Sequence, residues 1–338
     1  MGDEELGLLA LEDPAELVPE LGALRIIKVS RICSMSASAR SWCQPELLPP
    51  PGTSCADSKI SPQCSAWSTL TVTVTIHSAR NALQTADRIL VCAGAGMGVD
   101  SGLPDFRGSS GFWREYPPYR RLGFSFEQMA NPARFADDPR LGWGFYGHRL
   151  QLYRDTVPHD GFEMLREVIG DRPSFVFTSN VDGQFQLAGY ETDPIYEVHG
   201  SIHHLQCSEP CSRDIWSAFD LEIEIDPETM RAVSVLPRCP RCDSVARPNI
   251  LMFGDWSFIG DRCGEQDRAY RDWHASHDGE LVVVEMGAGT ALPTIRMESE
   301  RQQRGGATLI RINPRESHGP AGTLGLATGA LDALRAIT

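Results

Sequence analysis

The amino-acid sequence predicts an α/β fold, with a doubly wound, mostly parallel sheet that carries helices on both faces. Short apolar runs alternate with helical segments over most of the chain, and parallel strands need such helical crossovers. A glycine-rich stretch directly follows the first apolar run, as in Rossmann-type folds. Two close cysteine pairs lie in one later stretch, which predicts a small inserted metal-binding domain.

The regular pattern begins near residue 76 and predicts one Rossmann-type domain over 76–338. Strands are predicted at 88–92, 174–178, 195–198, 281–285 and 308–312 because each is an apolar run of strand length. Helices are predicted at 78–86, 125–129, 141–154, 162–169 and 329–337.

Residues 1–75 differ in composition from the rest of the chain. They are rich in serine, contain a proline cluster at 45–51, and hold cysteines without the spacing of metal ligands. This composition favours a poorly ordered N-terminal extension. A targeting or partner-binding arm is the alternative.

Composition excludes several classes of protein. The 338 residues, 41% of them hydrophobic and 22% charged, suit a soluble protein with one large domain and a smaller one. A net charge of -14 argues against a general nucleic-acid or membrane-surface binder and favours a lysine-bearing partner. The acidic N-terminus lacks the basic start of a signal peptide, and no apolar run approaches the roughly 18 residues of a membrane span. We therefore expect an intracellular, cytoplasmic location, while the oligomeric state stays open.

The four paired cysteines have the spacing of zinc ligands. They are arranged as Cys207-x3-Cys211 and Cys239-x2-Cys242, with prolines that favour tight turns. Four thiolates complete the tetrahedral coordination of Zn²⁺ and leave no open position. The spacing predicts one structural zinc ion, in a module at about 200–247; four unrelated thiols are the alternative.

The glycine-rich stretch at 94–108 is the most specific segment of the chain. Glycines directly after a strand allow a sharp turn and a close approach of the backbone to a phosphate group. The tail Pro104-Asp105-Phe106-Arg107 goes beyond what a plain dinucleotide-binding turn needs.

With this tail, the segment resembles the signature of the sirtuins, the NAD-dependent protein deacylases. The segments at 178–183, 199–200, 247–255 and 289–291 resemble further sirtuin motifs in the same order. The resemblance implies contacts with NAD⁺ at Gly94, Ala95, Gly96, Asp105, Phe106, Arg107, Ser179, Asn180, Asp182, Gly289, Thr290 and Asn313. It also implies that zinc is structural and not catalytic.

The resemblance further implies how the site works. His199 is expected to accept a proton from the ribose, Asn180 to lie near the reacting ribose, and Asp182 to hold the nicotinamide carboxamide. Phe253 and Gly254 are expected to line a channel for the acylated lysine of a protein or peptide. The implied products are nicotinamide and O-acyl-ADP-ribose.

Tyr146 and Arg149 resemble the pair found in sirtuins that remove acidic acyl groups. On a helix, residues at i and i+3 share a face, so a phenol and a guanidinium would together hold a succinyl or malonyl carboxylate. An ordinary amphipathic helix is the alternative interpretation.

Five features depart from the sirtuin pattern. Gly98 and Ala291 stand where the family has serine, Ser179 stands for glutamine, Asp255 stands for glutamate, and the first cysteine pair has one extra residue between its members. The changes at Gly98, Ser179 and Ala291 keep two alternatives open, an ADP-ribosyltransferase or NAD hydrolase on the same fold and a non-catalytic binder of NAD metabolites or acyl-lysine. A zinc-ribbon adaptor for nucleic acid is disfavoured by the net charge of -14.

Overall fold

The computed structural model describes residues 62–105 and 116–338, with side chains from residue 73 onward. In chain order the elements are α1 (Pro62–Thr85), β1 (Arg88–Ala93), α2 (Pro117–Arg121), α3 (Phe126–Met129), α4 (Ala133–Asp137), α5 (Pro139–Asp155), α6 (Gly161–Ile169), β2 (Ser174–Thr178), α7 (Gln184–Leu187), β3 (Ile195–Glu197), β4 (Gly200–Cys207), β5 (Ile215–Ser217), β6 (Ile225–Asp226), β7 (Arg231–Ala232), β8 (Ala246–Ile250), α8 (Asp261–Ser276), β9 (Leu281–Met286), α9 (Thr294–Arg304), β10 (Thr308–Ile312), β11 (Leu324–Leu326) and α10 (Ala330–Ile337). Two short 3-10 turns, Ala95–Met97 and Val99–Ser101, follow β1.

The main sheet has six strands in the order β11-β10-β9-β1-β2-β3. Every neighbouring pair in it is parallel. The order of strands reverses between β1 and β9, and in such sheets ligands bind beyond the carboxyl ends of the strands at this point. The predicted doubly wound parallel sheet is confirmed.

Helices cover both faces of the main sheet. On one face α1, α6 and α10 pack against the sheet, with Leu83, Phe162 and Leu334 in the shared core. On the other face Tyr270 and Trp273 of α8 pack against Phe175 and Phe177 of β2. The strands are therefore buried on both sides, which explains why they are nearly continuous apolar runs.

The short helices α2, α4 and α7 were not predicted from the sequence, and two longer helices, α8 and α9, were missed because they are unusually polar. α8 buries only Cys263, Tyr270 and Trp273 among its residues, and α9 buries only Ile295, Ser299 and Gln302. Both helices lie against the sheet on narrow stripes, so the apolar period that marks a helix is weak in each.

The first helix also differs from its prediction. The structure begins α1 at Pro62, well before the predicted start at Ser78. The alternating threonines and valines at 71–75 have low helix propensity, so no helix was predicted before residue 78. The greater part of the predicted N-terminal extension, residues 1–61, lies outside the described residues.

A second hydrophobic core lies beside the main sheet and is formed by two separate stretches of chain. Most of its members come from α2–α5 and from the segment that contains β4, β5 and β8, among them Trp143, Phe145, Ile202 and Leu205. β5, β4 and β8 form a small antiparallel sheet, and β6 pairs with β7. The sequence predicted the inserted segment but not that these helices share its core.

Helix α5 connects the two stretches through close packing. A Cβ on Gly144 would lie 1.8 Å from the carbonyl oxygen of Met230, so the β6–β7 hairpin rests directly on the helix backbone. Trp143 Nε1 donates a hydrogen bond to the Ala246 carbonyl oxygen at 2.8 Å. Within the described part of the chain, no helix has the length and apolar content needed to cross a membrane.

Candidate active site

A cavity of about 590 Å³ lies at the point where the strand order reverses. Loops after β1, β2 and β9 form one wall, and α5 with the loop after β8 forms the opposite wall. The predicted site residues that line it are Gly94, Ala95, Asp105, Tyr146, Arg149, Ser179, Asn180, Asp182, His199, Phe253 and Gly289. Phe106 and Arg107 fall outside the described residues.

Glycines let the loops after β1 and β9 cross in backbone contact. Gly96 donates its N–H to the Gly287 carbonyl oxygen at 3.1 Å, and a Cβ on Gly96 would lie 2.6 Å from the Gly287 Cα. Gly287 itself has a φ of 63°, in the left-handed region that favours glycine. No side chain fits at this crossing, so backbone faces the cavity as dinucleotide phosphates require.

Asn180 links the ends of β1 and β2. Its Nδ2 donates to the Gly94 carbonyl oxygen at 3.1 Å, and its backbone N–H donates to the Thr178 hydroxyl oxygen at 3.0 Å. The preceding Ser179 donates its N–H to the Ala93 carbonyl oxygen at 3.1 Å. The two predicted polar residues are thus fixed beside the glycine loop at the carboxyl ends of neighbouring strands.

Asp182 is a buried acid at the edge of the cavity. Its Oδ1 accepts the Gln184 N–H at 3.0 Å, and burial raises the pKa of its carboxyl group to about 6. His203 Nε2 lies 2.9 Å from the Asp182 carbonyl oxygen and supports the turn from behind. No local pattern in the sequence predicts this contact, because the two residues are 21 positions apart in the chain.

His199 lines the cavity from the turn between β3 and β4. It is half-buried, and burial lowers the pKa of its imidazole, with the Ser179 carbonyl partly offsetting the effect. Next to it, Gly200 has a φ of 79°, and a Cβ there would lie 2.1 Å from the Asn249 carbonyl oxygen. The ring is therefore held at a tight backbone turn and is neutral at pH 7, so one ring nitrogen can accept a proton.

The loop after β8 is held by a buried ion pair. Arg247 and Asp255 are both fully buried, with Nη2 and Oδ2 2.9 Å apart. Asp255 Oδ1 also accepts the Ser257 N–H at 3.0 Å. Phe253 donates its N–H to the Ala130 carbonyl oxygen at 2.9 Å, which fastens the loop to the end of α3. Aspartate in place of the expected glutamate therefore keeps the pair with arginine.

Tyr146 and Arg149 lie on the cavity face of α5, as their spacing predicts. The guanidinium carbon of Arg149 lies 5.2 to 6.0 Å from the ring centres of Phe126, Phe145, Tyr146 and Tyr153. Such rings stabilise a buried cation by their negative faces without neutralising it. A charged group is thereby held inside a largely aromatic part of the cavity.

The remaining predicted residues lie outside the cavity lining. Asn313 is fully buried, and its Nδ2 donates to the Ala288 carbonyl oxygen at 2.9 Å while its Oδ1 accepts the Glu316 N–H, also at 2.9 Å. Thr290 Oγ1 donates to Glu316 at 2.7 Å. Gly254 has a φ of 67°, which allows the turn after Phe253. These residues shape the loops whose other members line the cavity.

The four paired cysteines come together in space, away from the cavity lining. Their Sγ atoms all lie within 4.8 Å of one another, and the Cys207–Cys242 and Cys211–Cys239 pairs are 3.6 Å apart. Tetrahedral zinc with Zn–S bonds of about 2.3 Å requires sulfurs about 3.8 Å apart. The cluster is compatible with a closed zinc site.

Comparison with known proteins identifies relatives of this arrangement. The Sir2 family matches residues 94–269. An NAD-dependent protein deacylase of Thermus thermophilus is 32% identical over 268 residues, which cover 77% of this chain and 92% of that protein. One of Aquifex aeolicus is 27% identical over 230 residues, which cover 68% and 84%. The solved structure of a Sir2 homologue–NAD complex has a TM-score of 0.58 at 24% identity, covering 77% of this chain and 92% of that chain.

Proposed function

The chain belongs to the Sir2 family, and from this premise we propose that it is an NAD-dependent protein-lysine deacylase. One observation carries the proposal: a single cavity joins the glycine loop, His199 and the aromatic channel beside Phe253. A deacylase needs these three parts in contact, since the acyl group must meet the ribose where the base is.

The two loops that follow β1 and β9 have the features needed to bind NAD. Backbone crosses at Gly96 and Gly287 without room for side chains, and Asn180 holds the Gly94 carbonyl from the neighbouring strand. When bound, NAD supplies a ribose carbon at which the acyl oxygen of the substrate displaces nicotinamide. One water molecule is consumed when the lysine amine leaves the acyl carbon, and the products are the free lysine, nicotinamide and O-acyl-ADP-ribose.

The residues of the chain orient the reactants and move one proton. The neutral imidazole of His199 accepts a proton from a ribose hydroxyl, which makes the hydroxyl oxygen a better nucleophile toward the acyl carbon. Asp182 faces the cavity at the end where nicotinamide leaves. Phe253 and the ring of Tyr146 form apolar walls for the lysine side chain and keep bulk water away from it.

One structural zinc ion bound by Cys207, Cys211, Cys239 and Cys242 is part of the proposal. Cys207 ends β4, and the second cysteine pair precedes β8. These two strands pair with each other, and the residues that flank their other ends are His199 and the loop to Phe253. Zinc would therefore stabilise the strands that position both functional segments.

Acidic acyl groups are the proposed preferred substrates. Arg149 and Tyr146 line the aromatic part of the cavity, where the acyl group would end. A buried guanidinium favours a carboxylate, and a phenol adds a hydrogen bond. Succinyl- or malonyl-lysine fits this chemistry better than the neutral acetyl group.

A second candidate is an NAD hydrolase or ADP-ribosyltransferase on the same fold. Ser179 and Ala291 both line the cavity, and both are shorter than the family's residues, so space for water lies beside the expected ribose. This reaction would release nicotinamide without an acylated peptide.

Incubation with NAD and either acetyl-lysine or succinyl-lysine peptides, followed by mass spectrometry, tests the proposal. We expect O-acyl-ADP-ribose only when peptide is present, and a loss of about 100-fold or more in His199→Ala. Nicotinamide release at the same rate without peptide would instead establish the hydrolase. Peptide and NAD binding without any product would leave a binding protein.

A further inference from the structure

Tyr153 lies one helical turn after Arg149 and lines the same cavity. Both Nε and Nη2 of Arg149 donate to the Tyr153 hydroxyl oxygen, at 2.9 and 2.5 Å. The tyrosine is 4% exposed, and its ring centre lies 5.3 Å from the guanidinium carbon. It therefore contacts the cation through both its oxygen and its ring.

The Tyr153 hydroxyl has a proton left to donate. Burial raises the pKa of the phenol, so the group keeps its proton at neutral pH. The oxygen accepts two bonds from Arg149, and among the residues that the structure describes no acceptor bonds the hydroxyl proton. A buried donor of this kind, beside a cation and facing a cavity, suits an anionic acceptor.

The end of α5, which carries Tyr153, is also held by contacts with the turn after Asp182. Gln184 Nε2 donates to the Thr156 carbonyl oxygen at 3.1 Å, which joins the end of α5 to the turn after Asp182. The same turn carries the Asp182 carboxylate, which accepts the Gln184 N–H. Gln184 Nε2 also lies 3.5 Å from the Tyr153 carbonyl oxygen, so the backbone at Tyr153 is held against the turn that carries Asp182.

We propose that Tyr153 is a specificity-determining residue that, with Tyr146 and Arg149, holds the terminal carboxylate of a dicarboxylic acyl group on lysine. Arg149 supplies the charge, and the two phenols supply hydrogen-bond donors on either side of it. The assignment rests on the proposed deacylase function. It concerns recognition only, so no bond of the substrate changes at Tyr153.

Tyr153→Phe tests the assignment because it removes one oxygen and keeps the ring beside Arg149. We expect kcat/KM for a succinyl-lysine peptide to fall about tenfold, mostly through KM, with the acetyl-lysine value within about twofold. The matched control is Tyr190→Phe, which removes a half-buried hydroxyl bonded to the Phe162 carbonyl oxygen at 2.8 Å, outside the cavity lining. The control should leave the ratio of the two substrates unchanged.

Calorimetric binding of both peptides to wild type and Tyr153→Phe separates this assignment from the deacylase proposal. Weaker binding of the succinyl peptide alone supports Tyr153 even if no peptide is turned over, an outcome that would reject only the deacylase. Equal losses for both peptides, or wild type that binds succinyl no better than acetyl, would overturn the role of Tyr153. Deacetylation could then still proceed.

Discussion

The two walls of the cavity are made in different ways. The strand-end wall, formed by Gly94, Gly96, Asn180 and Gly287, presents backbone from loops that cross in direct contact. The helical wall, formed by α5 and the loop after β8, presents side chains that hold one another through rings and ion pairs. The strand-end wall depends on the absence of side chains, and the helical wall depends on their identity.

This difference indicates that the two walls have different roles. At the strand-end wall the contacts are made by main-chain atoms. Any side chain added there must therefore displace main chain. On the helical wall one side chain can change while its neighbours keep their positions. We infer that the strand-end wall fixes the common part of the reaction and the helical wall selects the acyl group.

Loss of zinc should have the largest effect and should damage the helical wall first. Structural zinc sites contribute on the order of 10 kcal/mol to folding. Cys239→Ser should lose the metal, lower the thermal midpoint and abolish turnover of acylated peptide. Metal analysis measures the zinc content, and hydrogen exchange over β4 and β8 measures the loss of structure there.

The free Cys263 provides the control for the zinc prediction. It is buried in α8 and lies outside the four-cysteine cluster. Cys263→Ser should keep one equivalent of zinc. If Cys239→Ser kept both zinc and peptide turnover, the cluster would not support the helical wall.

Breaking the buried ion pair should have the next largest effect. Asp255→Ala leaves the guanidinium of Arg247 buried without its carboxylate, which typically costs about 3–5 kcal/mol. Chemical denaturation measures the cost, and peptide affinity should fall with it because Phe253 lies on the same loop. Asp255→Glu should recover much of both.

An exposed ion pair gives the comparison for this prediction. Arg271 and Asp267 form an i,i+4 pair on α8, and the arginine side chain is 75% exposed. Arg271→Gln should change the free energy of unfolding by less than about 1 kcal/mol. A similar small loss in Asp255→Ala would mean that the loop does not depend on its ion pair.

The two walls also differ in how far the sequence predicts them. Gly94, Gly96 and Asn180 each follow a strand, so a local pattern and the rule for parallel sheets place them together. Tyr146 and Arg149 were predicted to share a helix face, but Phe126 and Tyr153 were not predicted to surround the guanidinium. Phe126 reaches the guanidinium through packing of α3 on α5, for which no local pattern exists. Tyr153 lies at i+4 from Arg149 on α5, so the spacing alone indicates its contact.

Asp182 is an exception on the strand-end side because a buried side chain acts there. The pKa of the Asp182 carboxyl group is about 6 in the folded protein, above the usual 3.8. Its contribution to the free energy of unfolding is therefore fully present below pH 3.8 and is lost as the pH rises through 6. Asp182→Asn should therefore match wild type near pH 4. At pH 7 the free energy of unfolding of Asp182→Asn should be about 2–3 kcal/mol higher than that of wild type, so the variant should be more stable.

Activity should move in the opposite direction from stability in Asp182→Asn. If the carboxylate holds the nicotinamide carboxamide, the variant should lose turnover while it gains stability at pH 7. Denaturation curves at several pH values, with nicotinamide release on the same samples, measure both. A stability difference that stays constant from pH 4 to pH 7 would contradict the buried charge.

Adding one methyl group to the strand-end wall should have the smallest effect on stability. It should nevertheless weaken the binding of NAD. In Gly96→Ala the new Cβ would lie 2.6 Å from the Gly287 Cα, so the two loops must separate. We expect a loss of about 1–3 kcal/mol in the free energy of unfolding and about tenfold weaker NAD binding, measured by calorimetry. Gly264→Ala on α8, where nothing lies within 4 Å of the new Cβ, should bind NAD as wild type does and be slightly more stable. Because both changes add the same atom, a difference in NAD affinity between them isolates the backbone contact, and equal affinities would show that the strand-end wall tolerates side chains as the helical wall does.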